Sequence, residues 1–333
     1  MKAIVLARSP GQHLRPDDFE LSASDATRQL QEGEARVRVR WLSIDPYQRG
    51  LLHETPMFGR RVLVGDIMAG RGVGEVVESR CTHLAPGDLV LGETGWSTES
   101  IVDGAKLARI EGPDEFLPHH LGILGVPGMT ALLGLDAMGG VGAHDVLLVS
   151  SAAGAVGSTV VQLAKMQGAT VIGLTSGPAK TRLVKEELKA DVVIDRLQGR
   201  SVADALLEAA PSGLSCFFDN VGEETLVAGL EALRPRGRAL LCGYIAGYEA
   251  PVQQAPHEAL RIVMRQRLQV SGFGVHDHAD RFGEARKMLV DFLGAGRLQP
   301  VQSVVRGLHS APGALCDLLA GRAAGKVIVQ ITD

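Results

Sequence analysis

Aromatic side chains are scarce in this chain: 8 Phe, 3 Tyr and 2 Trp among 333 residues, or 4%. Its cores must therefore be built from Ala, Val, Leu and Ile, and each Tyr or Trp is worth locating individually. An excess of charge is also lacking. The 34 Lys and Arg against 38 Asp and Glu leave a net charge of −4, which offers no general attraction for phosphate backbones or anionic membranes and argues against nucleic acid as a partner. Long apolar runs are missing too. Asp145-Val-Leu-Leu-Val-Ser150 is typical, far short of the ~20 residues that cross a bilayer. The opening Met1-Lys-Ala-Ile-Val-Leu-Ala7 runs into Arg8, so it reads as a first strand and not as a signal peptide. The four cysteines, Cys81, Cys216, Cys242 and Cys316, form no CxxC pair, which argues against a zinc knuckle and a disulfide framework and points to a cytoplasmic location.

What is present suggests two domains, since 333 residues exceed one comfortable core. Up to about residue 120 the pattern is one of short β-type runs: Ala35-Arg-Val-Arg-Val-Arg40 alternates, and Gly72-Val-Gly-Glu-Val-Val-Glu78 and Asp88-Leu-Val-Leu91 follow turn residues. This half reads as an irregular β-barrel. After Pro127 the rhythm changes. Asp145 to Ser150 is a buried strand, Gly157 to Gln167 an apolar-striped helix, Ala169 to Thr175 a second strand, Lys180 to Leu188 a second helix and Ala190 to Asp195 a third strand. Gly213 to Asp219 and Arg238 to Cys242 are further strands separated by helices. Such alternation implies a doubly wound parallel sheet covered on both faces. Beyond residue 300 short strand signals return, ending in Gly325-Lys-Val-Ile-Val-Gln-Ile331. The expected division is thus residues 1–121 with 300–333 for the β domain and 122–299 for the α/β insert.

Ser151-Ala-Ala-Gly-Ala-Val-Gly157 follows a buried strand and opens a helix, the setting a dinucleotide fingerprint requires. Gly154 would let main chain approach a pyrophosphate, Gly157 would let helix pack on strand, and the helix N-terminus would present amides. The plain alternative is an ordinary tight turn. An NAD site usually places Asp or Glu about 20 residues past the turn, against the ribose 2′-hydroxyl; this chain has Leu174-Thr-Ser-Gly-Pro-Ala-Lys180 there. Lys180, with Arg182 and Arg196 nearby in sequence, would neutralise a 2′-phosphate. Solvated surface charge is the alternative for these cations. The missing carboxylate selects NADPH as the expected cofactor.

Several segments together resemble the zinc-independent branch of the medium-chain dehydrogenase/reductase superfamily, in particular the prostaglandin, curcumin and alkenal double-bond reductases. They are Leu42-Ser-Ile-Asp-Pro-Tyr-Gln-Arg-Gly50, Gly70 to Ser79, Gly125-Val-Pro-Gly-Met-Thr-Ala131, Ser151 to Gly157, Phe218-Asp-Asn-Val-Gly222, Cys242-Gly-Tyr-Ile-Ala-Gly-Tyr248, Gly272-Phe273 and Gly325-Lys326. The resemblance implies a GroES-like β-barrel domain and a Rossmann-type domain with the active site between them, and a homodimer joined through the Rossmann domains. It also implies that Gly154, Ala155, Val156 and Gly157 hold the pyrophosphate and Lys180 the 2′-phosphate. Asn220, Cys242, Gly243, Tyr244 and Tyr248 would line the adenosine and ribose side, and Thr130, Phe273, Gly274 and Val275 the nicotinamide end. Three positions depart from the family: Arg196 stands where a Tyr helps hold the 2′-phosphate, Ala323 where an Asn contacts the cofactor, and His278 where an Asp-Tyr pair has its Tyr.

Zinc-dependent relatives need an early Cys ligand and a Gly-His-Glu segment, but the matching stretches here, Ser43 to Tyr47 and Val64 to Ile67, contain neither thiol nor imidazole. His276-Asp-His278 lacks a third ligand, so no metal is expected. The chemistry that suits such a site is conjugate reduction, in which hydride reaches the β-carbon of an α,β-unsaturated ketone or aldehyde and charge spreads to the carbonyl oxygen. One or two hydrogen bonds in a dry cleft stabilise that charge. The candidate donors are Tyr47, by its place in the Asp-Pro-Tyr segment, and His278, imidazole being a versatile acid near neutral pH. The bland alternatives are a structural phenol and a solvated loop histidine. Quinone reduction and non-catalytic NADPH binding, as in some crystallins, are the rival functions. Substrate identity depends on the loops at 51–62 and 248–260.

Overall fold

Alternation of apolar and charged residues near the N-terminus produces paired strands. In the computed structural model, which describes residues 1–23, 28–56, 59–249 and 257–331, β1 (Lys2–Leu6), β2 (Phe19–Ala23) and β3 (Glu34–Ile44) come first. One helical turn, α1 (Tyr47–Gly50), precedes β4 (Arg71–Ser79), β5 (Leu89–Glu93), β6 (Glu99–Asp103) and β7 (Ala108–Arg109). Helix α2 (Val126–Ala137) opens the alternating stretch of β8 (Val146–Ser150), α3 (Gly157–Met166), β9 (Thr170–Thr175), α4 (Pro178–Arg182) and β10 (Val192–Asp195). It continues through α5 (Val202–Ala209), β11 (Leu214–Asp219), α6 (Glu223–Ala232), β12 (Leu233–Leu241), α7 (His257–Gln266), β13 (Gln269–Gly272) and α8 (Phe282–Gly294). β14 (Gln302–Arg306), α9 (Ala311–Leu319) and β15 (Lys326–Gln330) follow. Two compact units result, Met1–Leu121 with Gln302–Asp333, and Gly122–Val301. Parts of both loops expected to shape the substrate pocket, residues 57–58 and 250–256, lie outside the described residues.

In the first unit β1 and β2 form an antiparallel pair, and the larger sheet has the order β14-β15-β3-β4-β5-β7, with β6 also on β3. Strand β3 is the organiser. Its Ala35, Val37 and Val39 are buried, as the alternation predicts. Its first half pairs with β6 (Glu34 opposite Asp103) and its last residues with β15 (Ile44 opposite Val327), while β4 follows the whole strand with two register shifts. One strand with three partners makes the sheet irregular. The core around Leu42, Ile44, Met68 and Trp96 also takes Ala311, Ala314 and Leu315 from α9. The strand-only reading of the tail omits this helix, although Ala311, Ala314, Leu315 and Leu318 already stand at helical spacing.

In the second unit every strand pair is parallel and the order is β10-β9-β8-β11-β12-β13. The order reverses between β8 and β11, so their C-terminal ends border the crevice where such sheets bind ligands. Both strands are buried on both faces. Leu147, Val149 and Phe218 enter the cluster formed with α2, α3 and α8, whereas Leu148 and Phe217 enter the one formed with α5, α6 and α7. Each of these scarce aromatic rings is seated on a helix glycine: a Cβ at Gly134 would meet the Phe218 ring at 2.9 Å, and one at Gly229 would run into Phe217. The helix expected over Lys180 to Leu188 is shorter. It begins at Pro178, ends as α4 at Arg182 and gives way to one π-type turn over Leu183–Glu187, closed by Leu188 N–H donating to Leu183 O at 3.1 Å. That wide turn leaves Val184 and Leu188 both buried beneath the sheet edge. Among the described residues no single helix is long and apolar enough to cross a membrane.

Candidate cofactor and active site

The turn between β8 and α3 is built around Ser151, which takes a left-handed φ of 50° where a glycine is usual. Gly154 N–H donates to Ser151 O at 2.8 Å and Ser158 N–H to Gly154 O at 2.9 Å, winding the chain into the helix. A Cβ on Gly157 would strike Ser151 O and stand 3.0 Å from the Ala152 Cα, so only glycine brings the helix this close to the strand. Among the described residues no main-chain acceptor within this unit is found for the amides of Val156 and Gly157. Main-chain amides at a helix N-terminus are the donor set an anion needs.

A buried hub braces this turn from β11. Ser150 Oγ donates to Asp219 Oδ1 at 2.7 Å, and the Asp219 carboxyl also accepts from Val221 N–H at 3.1 Å and Gly222 N–H at 2.9 Å. Burial pushes this carboxyl up, against the pull of those three bonds. Asn220 donates through its main-chain N–H to Ser150 Oγ and through Nδ2 to Ser150 O, both at 2.8 Å. Its amide nitrogen is thus committed to joining β11 to β8. Asp219 lay in plain view within the Phe218-to-Gly222 segment, yet a strand-end Asp reads as a turn residue.

At the neighbouring strand ends Lys180 is half-buried on α4 and Arg196 is exposed just past β10. Burial, and then the nearby Arg196 guanidinium, push the Lys180 ammonium down. Two cations past the ends of adjacent strands suit a multiply charged anion. Arg182 is exposed on the same short helix.

The segment after β12 lies along β11: Cys242 N–H and Gly243 N–H donate to Asp219 O at 2.8 and 3.2 Å, and a Cβ on Gly243 would come within 2.8 Å of Asn220 O. Burial, with the Asp219 charge adding to it, pushes the Cys242 thiol up to about 12, which leaves it neutral and unreactive as a nucleophile. Tyr244 is exposed, its ring sits between Gly222 and Gly247, neither of which has room for a Cβ, and its hydroxyl donates to Glu223. Tyr248 is half-buried at the end of a short 3-10 turn. Phe273 N–H donates to Leu241 O at 3.0 Å, and the half-buried His278 stacks on the Phe273 ring with centroids 5.2 Å apart. His278 has φ −113° and ψ 27°, a break within the helical turn Val275–Arg281. Gly274 is exposed, whereas the Val275 side chain belongs to the core. Thr130 is buried within α2.

Tyr47 belongs to the β unit, where it opens α1 half-buried and packs against the core. The preceding Asp45 accepts from Ser43 Oγ and from Lys326 Nζ, and Gln48 Oε1 accepts from Asp45 N–H at 2.9 Å. Lys326 also donates to Ile44 O at 2.8 Å. No local sequence pattern signals this clasp on the Asp-Pro-Tyr turn, because its two sides come from distant strands. Among the described residues no three or more His, Cys, Asp or Glu side chains converge as a metal ion would require.

Residues 2–110 match the family described as the N-terminal domain of oxidoreductase, and residues 155–291 the family described as zinc-binding dehydrogenase. Prostaglandin reductase 1 of Bos taurus is 35% identical over 94% of this chain and 94% of its own length. The NADP(+)-dependent 2-alkenal reductase of Nicotiana tabacum is 31% identical over 99% of this chain and 97% of its own. The crystal structure of CurA from Vibrio vulnificus in complex with NADPH superposes with a TM-score of 0.93 at 31% identity, covering 100% of both chains. With a glycine turn, a strand-order reversal and a β unit all in the same order along the sequence, this chain belongs to the medium-chain dehydrogenase/reductase superfamily, in the group that holds the prostaglandin and 2-alkenal reductases.

Proposed function

We propose that this protein is an NADPH-dependent reductase of the carbon–carbon double bond of α,β-unsaturated ketones and aldehydes. The observation that carries the cofactor reading is that Lys180 and Arg196 follow the ends of the adjacent parallel strands β9 and β10, where an NAD-selective site would hold a carboxylate. The chemistry rests on full-length similarity to an enzyme named 2-alkenal reductase. In this reading residues 122–299 form the cofactor domain and residues 1–121 with 300–333 the substrate domain. Gly154, Ala155, Val156 and Gly157 receive the pyrophosphate at the helix N-terminus, and Lys180 and Arg196 receive the 2′-phosphate. Asn220, Cys242, Gly243, Tyr244 and Tyr248 border the adenosine and ribose side, with Thr130, Phe273, Gly274 and Val275 at the nicotinamide end.

NADPH, when bound, supplies a hydride equivalent. The protein's own task is to stabilise the negative charge that develops on the substrate's carbonyl oxygen, and Tyr47 and His278 are the donors proposed for it. The stack on Phe273 fixes the plane of the imidazole, and the clasp on Asp45 fixes the turn that presents the phenol. A homodimer through the Rossmann domains is part of the proposal: among the described residues β13 is an edge strand paired with β12 alone, and Leu260 and Met264 stand exposed one turn apart on α7. Light scattering on a sizing column tests that assembly. A cytoplasmic location fits four cysteines that are all free thiols.

The deciding experiment follows NADPH oxidation with a small enone, a 2-alkenal and a quinone. Turnover of the enone and the alkenal, with the saturated carbonyl as product, is expected. Turnover of the quinone alone would make the protein a quinone reductase, and tight NADPH binding without turnover of any of them would make it a binding protein.

A further inference from the structure

Two loops leave adjacent strands at the edge of the nucleotide unit, one after β9 and one after β10, and a single carboxylate oxygen ties them together. Asp195 is the last residue of β10, opposite Thr175, the last of β9. Its Oδ1 accepts from Gly177 N–H at 2.8 Å in the first loop and from Leu197 N–H at 3.0 Å in the second. Arg196 N–H closes the same junction by donating to Thr175 O at 3.1 Å. The first loop is held again at its far end, where Thr181 Oγ1 lies 3.1 Å from Thr175 Oγ1 and donates to Gly177 O at 3.1 Å. Gly177 has φ 89°, a conformation that keeps its N–H turned toward the strand end and that other residues resist.

The consequence concerns the two cations. Lys180 follows Gly177 by three residues, and Arg196 lies between Asp195 and Leu197. Among the described residues Arg196 makes no ion pair with a carboxylate. Asp195 is itself buried, with its charge spent on main-chain amides. The Asp195 oxygen that ties the loops is therefore turned onto main-chain amides and not outward to a ribose diol as in an NAD site. Like charges side by side repel and separate unless their loops are pinned.

We propose that Asp195 is a positioning residue for dinucleotide selectivity: by holding Gly177 and Leu197 on one oxygen, it keeps Lys180 and Arg196 together as a seat for a 2′-phosphate. The inference rests on the NADPH reading above. It adds that selectivity resides in an inward-facing carboxylate as well as in the cations, and that Arg196 takes part in the seat.

The test is equilibrium binding of adenosine 2′,5′-bisphosphate and of 5′-AMP to the full chain, by calorimetry, without turnover. Asp195→Ala is expected to weaken the bisphosphate about tenfold and 5′-AMP less than about twofold, as for loss of bonds that act only on the charged seat. Asp195→Asn, whose amide oxygen still accepts both N–H groups, is expected to keep the preference, which covers the case in which the alanine variant fails to fold. In a Lys180→Ala/Arg196→Ala background, Asp195→Ala is expected to change the preference no further. Equal weakening of both ligands by Asp195→Ala, or loss of preference in Asp195→Asn, overturns the proposal. If the intact protein binds both ligands alike, the NADPH reading itself fails, and the two failures are thereby told apart.

Discussion

Lys326 and Asp45 form an ion pair inside the β unit, with side chains 3% and 20% exposed. The two residues lie 281 positions apart in sequence, yet the pairing of β15 with the end of β3 brings them side by side. Burial pushes the lysine down, while the neighbouring Asp45 charge holds it up. The carboxylate also accepts from Ser43 Oγ, and Gln48 Oε1 holds the Asp45 main-chain N–H, so that the turn carrying the charge is fixed beside its cation.

Lys326→Met is therefore expected to destabilise the protein by about 3–5 kcal/mol, since it leaves a carboxylate without its cation. Urea unfolding measures it. Adding Asp45→Leu is expected to recover much of the loss, because replacing both members of a buried pair by apolar side chains is often close to neutral. A single substitution costing no more than an exposed pair, about 1 kcal/mol or less, would show that the clasp does not hold the turn.

Gly157→Ala probes the other unit. The added methyl would meet the Ser151 carbonyl and the Ala152 Cα, both main chain, so the whole turn must shift. A cost of about 1–3 kcal/mol is expected from overpacking, together with at least a tenfold weaker affinity for NADPH by fluorescence titration. Gly154→Ala meets the Ser151 hydroxyl at 2.7 Å, a group with more freedom to move, and should cost less stability.

Asp219 carries a pH prediction. Burial raises its carboxyl in the folded state, so its favourable contribution is full below the unfolded value of about 3.9 and is lost as pH rises through the higher folded value. Asp219→Asn has no such titration. Its stability relative to the parent protein, from urea unfolding at several pH values, should improve as pH rises from about 4 toward neutrality. The opposite slope would mean that the hydrogen bonds from Ser150, Val221 and Gly222 outweigh the burial.

The residues explain why some of this was legible in sequence and some was not. Strand β8 and the turn to Gly157 stand out because a short apolar run followed by spaced glycines has few other uses. Helix α9 is equally open to its spacing, but it lies among strand signals that mask it. The Asp45–Lys326 pair is different in kind, since no local pattern links residues from strands so far apart in sequence. Asp195 and Asp219 look like ordinary turn formers at strand ends, and only the direction of each carboxylate, inward onto amides, marks them as braces. Tyr244 shows the converse. Its place in the Cys242-to-Tyr248 segment was evident, but the seat between Gly222 and Gly247 depends on a fold of main chain that composition does not reveal.

His278 and Tyr47 are the residues whose removal should separate chemistry from binding. Phe at 278 retains a ring to stack on Phe273, so the break in the Val275–Arg281 turn and the adjoining main chain should persist while the hydrogen-bond donor is lost. Phe at 47 likewise keeps the packing against the β-unit core and removes only the hydroxyl. Each substitution is expected to lower kcat for an enone by about a hundredfold to a thousandfold, the range seen when one donor to a developing oxyanion is removed, with the NADPH dissociation constant changed by less than about twofold. Steady-state kinetics alongside fluorescence titration give both numbers, and a lower kcat with an unchanged Kd identifies a group acting on the reacting substrate. The double variant discriminates further. If both donors serve one carbonyl oxygen, the second removal should cost less than the first, because residues that act as a unit are not additive. Two full and independent losses would instead place the two groups in separate steps. An unchanged kcat in His278→Phe would return that imidazole to a purely structural stack and leave Tyr47 as the single donor.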